Sequence, residues 1–193
     1  MSERLERRAA MATLLAERGD DLLVVPGLGS TTWDLAAIGD NAKNFYLWGA
    51  MGGAAMIGLG LALAQPKKRV AVVTGDGEML MGMGSLATIG VQRPGNLAII
   101  VFDNGVYGET GMQPSHTQSG VDLVGVARGC GFPTCLEVRE DASLRDLAAR
   151  LKTLGEPLFA RVLIAAEEPP RVLPERDGIA LKQRFRAAIG AKP

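Results

Sequence analysis

Short apolar runs alternate along this chain with longer stretches in which apolar residues recur every three or four positions, as far as about residue 165. Residues 3–18 place Leu5, Ala9, Ala12 and Leu15 at helical spacing with Arg and Glu between them, which predicts a helix. The run Asp21 to Val25 predicts a first strand, with Pro26-Gly27-Leu28-Gly29-Ser30 as its exit turn. Thr31 to Ile38 fits a short helix and Asn44 to Trp48 a short strand. Residues 52–65, rich in Ala, Gly, Leu and Met, predict a helix apolar on nearly all sides and therefore buried. Then follow strand 69–74, helix 79–92, strand 97–102, helix 121–129, strand 134–138, helix 143–154 and strand 158–164. This order predicts an α/β fold: an open, mostly parallel sheet with right-handed crossovers and helices on both faces. From Glu167 the composition shifts to Pro, Arg and Glu, ending in a basic helix-like stretch around Phe185. The expected division is a domain over 1–166 and a C-terminal arm over 167–193 that can lie on a partner. No internal repeat is visible.

Composition narrows the function classes. A chain of 193 residues is one domain, or one with a tail, and buries a core without difficulty. Lys+Arg and Asp+Glu both number 21, so no net charge draws the chain to nucleic acid or an anionic membrane. The start MSERLERRAA lacks the apolar core of a signal peptide. The longest apolar stretch, Gly49 to Ala64, is interrupted by glycines and too short to span a bilayer. Cys130 and Cys135 form no CxxC and read as small apolar residues of a reduced protein, so the expected compartment is the cytoplasm.

The candidate chemistry sits at strand ends. Gly75-Asp76-Gly77-Glu78 closes one strand-like run, and Asn104, 28 residues after Asp76, follows another in Asp103-Asn104-Gly105-Val106-Tyr107-Gly108. A carboxylate and a carboxamide oxygen at the carboxyl ends of two strands lie where open α/β sheets bind ligands. Two hard oxygens among glycines suit Mg²⁺ holding a phosphorylated ligand. A helix cap at Asp76 and a turn at Asn104 are the plain alternative. Gly29-Ser30-Thr31-Thr32 offers hydroxyls and N–H groups after the first strand, though a helix cap explains it as well. His116 is the only histidine, in a polar loop with Gln113, and is the candidate for proton transfer to substrate. Tyr107 and Glu109 are candidate pocket-lining residues.

GDG followed by Asn104 resembles the diphosphate-binding domain of thiamine diphosphate enzymes. The order Phe45-Tyr46-Leu47-Trp48-Gly49-Ala50-Met51-Gly52, then Gly75 to Glu78 with its following Leu80 and Met81, then Asp103 to Gln113, resembles the β-type subunit of two-subunit 2-oxoacid decarboxylases, the phosphonopyruvate and sulfopyruvate decarboxylase group. The resemblance implies that Asp76, the Asn104 side chain and the Val106 carbonyl ligate Mg²⁺. It further implies cofactor contacts from Ser30, Thr31, Gly75, Gly77, Glu78, Tyr107 and Gly108. The Gly49 carbonyl is expected to receive the cofactor's 4′-amino group, and Met51 to wedge between its two rings; a core-packing Met51 is the alternative. Asp103 stands where many relatives carry a first Asn. Relatives acting on phosphonate or sulfonate acids tend to carry T-S-R-E where this chain has Thr31-Thr32-Trp33-Asp34, so an indole replaces a guanidinium. The implied reaction is non-oxidative decarboxylation of a small 2-oxoacid to an aldehyde. A separate pyrimidine-binding subunit must then supply the catalytic glutamate, because no second sheet is present, and the implied assembly is a hetero-oligomer. A carboligase, a 2-oxoacid oxidoreductase chain and a non-catalytic cofactor-binding subunit are the alternatives; the second usually needs more cluster cysteines than two.

Overall fold

The computed structural model describes residues 4–191. Residues 1–3 and 192–193, which include the first position of the expected helix 3–18 and the last of the expected arm, lie outside them. Five strands form one parallel sheet: β1 (Leu22–Pro26), β2 (Arg69–Gly75), β3 (Leu97–Asp103), β6 (Thr134–Val138) and β7 (Leu158–Leu163). Their spatial order is β1-β2-β3-β7-β6. A two-stranded antiparallel ribbon, β4 (Val106–Tyr107) with β5 (Gln113–Pro114), stands apart from the sheet.

The central strands are continuous apolar runs because both faces are covered, and β3 is buried at every position. Side chains alternate between two cores. Val24, Val73 and Ile100 meet α1 (Arg7–Leu15) and α7 (Asp141–Arg150), while Val25, Val72 and Ile99 meet α3 (Ala54–Ala64), α5 (Ser85–Gln92) and α6 (Leu123–Gly129). Gly58 lets α3 lie close on the sheet, since a Cβ there would come within 2.2 Å of Val72 Cγ2.

Several expected elements differ: the helix expected over 3–18 runs only from Arg7 to Leu15, with Leu5 bridging Ile164, and α3 buries one face while Met56 and Leu63 are exposed. The helix expected over 79–92 is two helices: α4 (Asp76–Met81) starts at the motif itself, and a turn over 82–84 separates it from α5. The cause is a backbone crossing, because a Cβ on Gly82 would lie 2.2 Å from the Gly52 carbonyl oxygen. The strand expected over 44–48 reduces to one bridge, Asn44 to Val24, made by Val24 N–H to Lys43 O (3.0 Å) and Phe45 N–H to Val24 O (2.8 Å). Side chains fix the rest of that segment: the Tyr46 hydroxyl meets Asn44 Nδ2 at 3.2 Å and donates to Asp40 at 3.0 Å.

The C-terminal segment folds back on its own chain. Asp177 caps α8 (Gly178–Ala188), whose Leu181 joins one core and Phe185 the other. The Phe185 ring packs 5.1 Å from Phe45, beside the segment that covers the outer edge of β1. Among the described residues no helix is long and apolar enough to cross a membrane.

Candidate functional site

The carboxyl ends of β1, β2 and β3 lie side by side, and their exit loops enclose a cleft of about 110 Å³. Gly75 ends β2 in extended conformation, and Asp76 opens α4 directly. Gly77 must be glycine, since a Cβ there would lie 2.6 Å from the Tyr107 ring; the Met51 methyl comes within 3.8 Å of the same point. The cleft wall includes Ser30, Thr31, Met51, Asp76, Asn104 and Tyr107, together with Gly75, Gly77, Glu78, Val106 and Gly108. Residues spread over 79 positions of sequence thus meet at one sheet edge.

Asp76 is 2% exposed. Ser115 Oγ donates to its Oδ2, and Thr117 Oγ1 stands 3.2 Å from the same oxygen. Oδ1 takes no side-chain donor among the described residues. Thr117 Oγ1 also lies 3.0 Å from Asp103 Oδ1, and Asp103 Oδ2 accepts from Arg161 Nε at 2.6 Å. Burial, and then the neighbouring Asp103 carboxylate, push the Asp76 carboxyl up to about 6. A carboxylate made uncomfortable by desolvation and a like charge is one that a cation would stabilise. Asn104 is buried beside it, its Oδ1 accepting the Val106 N–H at 3.0 Å with a lone pair to spare. No group of three or more His, Cys, Asp or Glu side chains gathers as a metal site among the described residues. A metal here would rest on one carboxylate, one carboxamide, a main-chain carbonyl and oxygens of the ligand itself, a donor set suited to Mg²⁺. The residues present fit that ion.

Glu78 lines the cleft, but its carboxylate is bound into the protein. Oε2 accepts from Leu28 N (2.8 Å) and Thr74 Oγ1 (2.9 Å), and Oε1 from Gly52 N (3.2 Å) and Ala54 N (3.4 Å). One side chain therefore ties the β1 exit loop and the start of α3 to the GDG turn. Gly27 leaves it room, for a Cβ there would lie 2.0 Å from Oε2. Thr31 and Thr32 turn their hydroxyls to the Gly27 carbonyl, at 3.1 and 2.8 Å, while Ser30 opens α2 (Ser30–Ala37). Asp34, also in the wall, is buried against Arg7 (2.6 Å) and Arg8 (3.0 Å).

At the rim, Trp33 Nε1 donates to Glu109 at 2.9 Å, and Arg171 pairs with the same carboxylate at 3.0 Å. Trp33 packs on Trp48 (5.6 Å), which donates to the Glu175 carbonyl (3.0 Å) beneath the Arg176 guanidinium (5.7 Å). The C-terminal segment thus builds part of the rim.

Three expected site residues lie outside the cleft wall. His116 is exposed, its Nδ1 3.1 Å from the Tyr107 hydroxyl. Gln113 is exposed and bonded to Thr110 through both ends of its amide. Gly49 sits in an exposed turn at φ +91°. Ser115 and Thr117 were missed. They flank His116, and the period of two that turns His116 outward turns both hydroxyls inward, a signal available in Ser-His-Thr itself. Arg161 was missed too, although one arginine inside the apolar run Leu158 to Leu163 already asks for a buried acid.

Comparison with known proteins agrees with this geometry. A family model described as thiamine pyrophosphate enzyme, C-terminal TPP binding domain, matches residues 29–162. A phosphonopyruvate decarboxylase of Streptomyces viridochromogenes is 40% identical over 192 residues, covering 97% of this chain and 47% of that protein. A sulfopyruvate decarboxylase subunit beta of Methanocaldococcus jannaschii is 36% identical over 174 residues, covering 89% of this chain and 90% of that subunit. The chain thus spans about half the length of the first relative and nearly all of the second. Among solved structures, a benzoylformate decarboxylase from Polynucleobacter necessarius superposes with a TM-score of 0.73 at 19% identity, over 86% of this chain and 34% of that one. A thiamine diphosphate-dependent 4-hydroxybenzoylformate decarboxylase of Rhodococcus jostii RHA1 gives 0.72 at 19%, over 88% and 34%. These two establish the fold. With most of the chain inside the family model and a β subunit matched nearly end to end, the protein belongs to the thiamine pyrophosphate enzymes, through their C-terminal TPP binding domain.

Proposed function

We propose that this chain is the diphosphate-binding subunit of a thiamine diphosphate- and Mg²⁺-dependent 2-oxoacid decarboxylase, completed by a separate pyrimidine-binding subunit that supplies the catalytic glutamate. The observation that carries the reading is the buried Asp76 carboxylate beside Asn104 at the ends of β2 and β3, facing Met51 and Tyr107 across one cleft. Bound thiamine diphosphate supplies the electron sink that lets CO₂ leave a 2-oxoacid. This chain's part is to hold and orient. Asp76 Oδ1, Asn104 Oδ1 and the Val106 carbonyl take the metal, and the exit loops at Ser30, Thr31 and Gly77 receive the diphosphate. Met51, 41% exposed at the cleft mouth, is free to pack against the cofactor rings.

Glu78 and Asp34 are committed to internal partners, and Glu109 to Trp33 and Arg171 at the rim, so none of the three serves as the acid at the aminopyrimidine. That supports a partner chain as the source of the glutamate, as does the subunit name of the archaeal relatives. The substrate class is a small 2-oxoacid, in keeping with relatives named for phosphonopyruvate and sulfopyruvate. The expected compartment is the cytoplasm, where two free thiols are stable.

The test is CO₂ release from a panel of 2-oxoacids by the chain with thiamine diphosphate and Mg²⁺, with and without the presumed partner. Turnover only in the mixture supports the split site. Robust turnover by the chain alone overturns it.

A further inference from the structure

At the opposite ends of the strands, α1 and α7 frame a second cavity of about 390 Å³ that the proposed reaction does not use. Leu22 opens β1 and Arg69 opens β2 at its floor; Leu14, Ala148 and Leu151 give it an apolar wall. Four cations border it: Arg18, Arg69, Arg145 and Lys152. Three of them already face a carboxylate, Arg69 with Asp21, Arg145 with Asp141 and Lys152 with Glu17. Arg18 does not. Its guanidinium donates to two neutral acceptors, Asn44 Oδ1 (2.6 Å) and the Leu22 carbonyl (2.9 Å), so two of five N–H donors are used among the described residues. Its Nε is buried without a hydrogen-bond partner. Burial lowers the Arg18 pKa, yet a guanidinium stays charged at any physiological pH. One positive charge without a carboxylate partner is thus held beside the cavity's apolar wall, an expensive arrangement unless an anion joins it.

We propose that this cavity is a second ligand site, for a small organic acid with one carboxylate and a short apolar tail. The carboxylate meets Arg18, whose planar fork suits it, and the tail lies against Leu14, Leu22 and Leu151. One surplus charge selects a monoanion, and the apolar wall selects an organic anion over an inorganic one.

The test titrates the full chain, saturated with thiamine diphosphate and Mg²⁺, with acetate, butanoate, hexanoate and inorganic phosphate at constant ionic strength. Binding is followed by calorimetry and amide NMR shifts. The expected result is saturable binding that tightens at least about tenfold from acetate to hexanoate, with shifts in α1 and α7 and phosphate weakest. Arg18→Met is expected to weaken hexanoate at least about tenfold while leaving thiamine diphosphate affinity unchanged. Arg18 also pins Asn44 and Leu22, so Ala149→Phe, at an exposed wall position, fills the space with every charge kept and decides the matter if Arg18→Met does not fold. Four results overturn the proposal: no saturation with hexanoate, hexanoate binding that Ala149→Phe leaves intact, phosphate binding as tight as hexanoate, or hexanoate that displaces the cofactor.

Discussion

Asp76 and Asp103 are both buried carboxylates within one hydroxyl network, but they answer to different partners. Asp103 is neutralised by Arg161, whereas Asp76 has hydroxyl and backbone donors but no cation among the described residues, so its discomfort is lowered without being removed. Asp76→Ala is therefore expected to abolish Mg²⁺-dependent binding of thiamine diphosphate while the chain stays folded, and Asn104→Ala to do the same. Asp103→Asn should leave cofactor affinity nearly intact and cost about 1–3 kcal/mol of stability, since Arg161 keeps only Glu137 at 3.2 Å. Calorimetry with cofactor and urea unfolding of all three variants check the contrast; wild-type affinity in Asp76→Ala ends the metal assignment. Met51→Ala is expected to lower turnover of the complete enzyme more than cofactor affinity, because the tail's contacts lie elsewhere. A wild-type rate of C2 proton exchange in that variant would show that Met51 is ordinary packing. The pairing of Asp76 with Asn104 was legible because spacing and strand context are local properties. The hydroxyl clamp was legible only in part: Ser-His-Thr shows that Ser115 and Thr117 share a side, but which side faces inward is decided by Asp76.

At the level of elements, the five strands of the parallel sheet were legible within a residue or two, because a fully buried parallel strand has few other readings; the short ribbon of β4 and β5 was not expected. The break between α4 and α5 was not. Gly82, Gly84 and Gly90 look alike in an apolar periodic run, and only the approach of Gly52, 30 positions away, decides which one ends the helix. Gly82→Ala forces a methyl against the Gly52 carbonyl and is expected to cost about 1–3 kcal/mol. It should also displace the loop that carries Met51. Gly84, helical in conformation with nothing within 4 Å of a Cβ, is the control: Gly84→Ala should be neutral or stabilise by about 0.4–1 kcal/mol. Urea midpoints measured side by side test the pair, and equal effects would show that the crossing is not what breaks the helix. The segment from Asn44 to Trp48 misled for a related reason. Tyr46 and Leu47 are buried, as in a strand, but hydrogen bonds from Asn44, Tyr46 and Asp40 fix the segment in place of a ladder.

For the whole molecule, the C-terminal segment matters more than its composition indicates. It closes over the outer edge of β1 through α8, and on the way it anchors Trp48 and pairs with Glu109 at the cleft rim. Truncation after residue 166 would uncover Phe45, Trp33 and Trp48 together beside a sheet edge held by a single bridge. An exposed edge with aromatic neighbours is prone to pair with other chains. The truncated chain is expected to self-associate, measured by light scattering, and to bind thiamine diphosphate more weakly. A truncated form with the oligomeric state of the full chain would show that the segment is dispensable cover. That it lies on its own chain was beyond sequence reading, since Pro- and Arg-rich stretches carry no periodicity to say what they rest on.

The clamp on Asp76 also sets denticity. With Ser115 donating to Oδ2 and Thr117 crowding it at 3.2 Å, Oδ1 is the oxygen that the carboxylate leaves open to a metal. Magnesium accepts that readily, whereas calcium gathers six to eight oxygens and favours carboxylates that give both. On the metal-holding reading, Ca²⁺ should support cofactor binding poorly. A Ser115→Ala/Thr117→Ala double variant, which frees Oδ2, should narrow the gap between the two ions in cofactor titrations; an unchanged ratio would remove the hydroxyls from the account. Discrimination between two abundant divalent cations would then rest on a pair of hydroxyl groups that never touch either one.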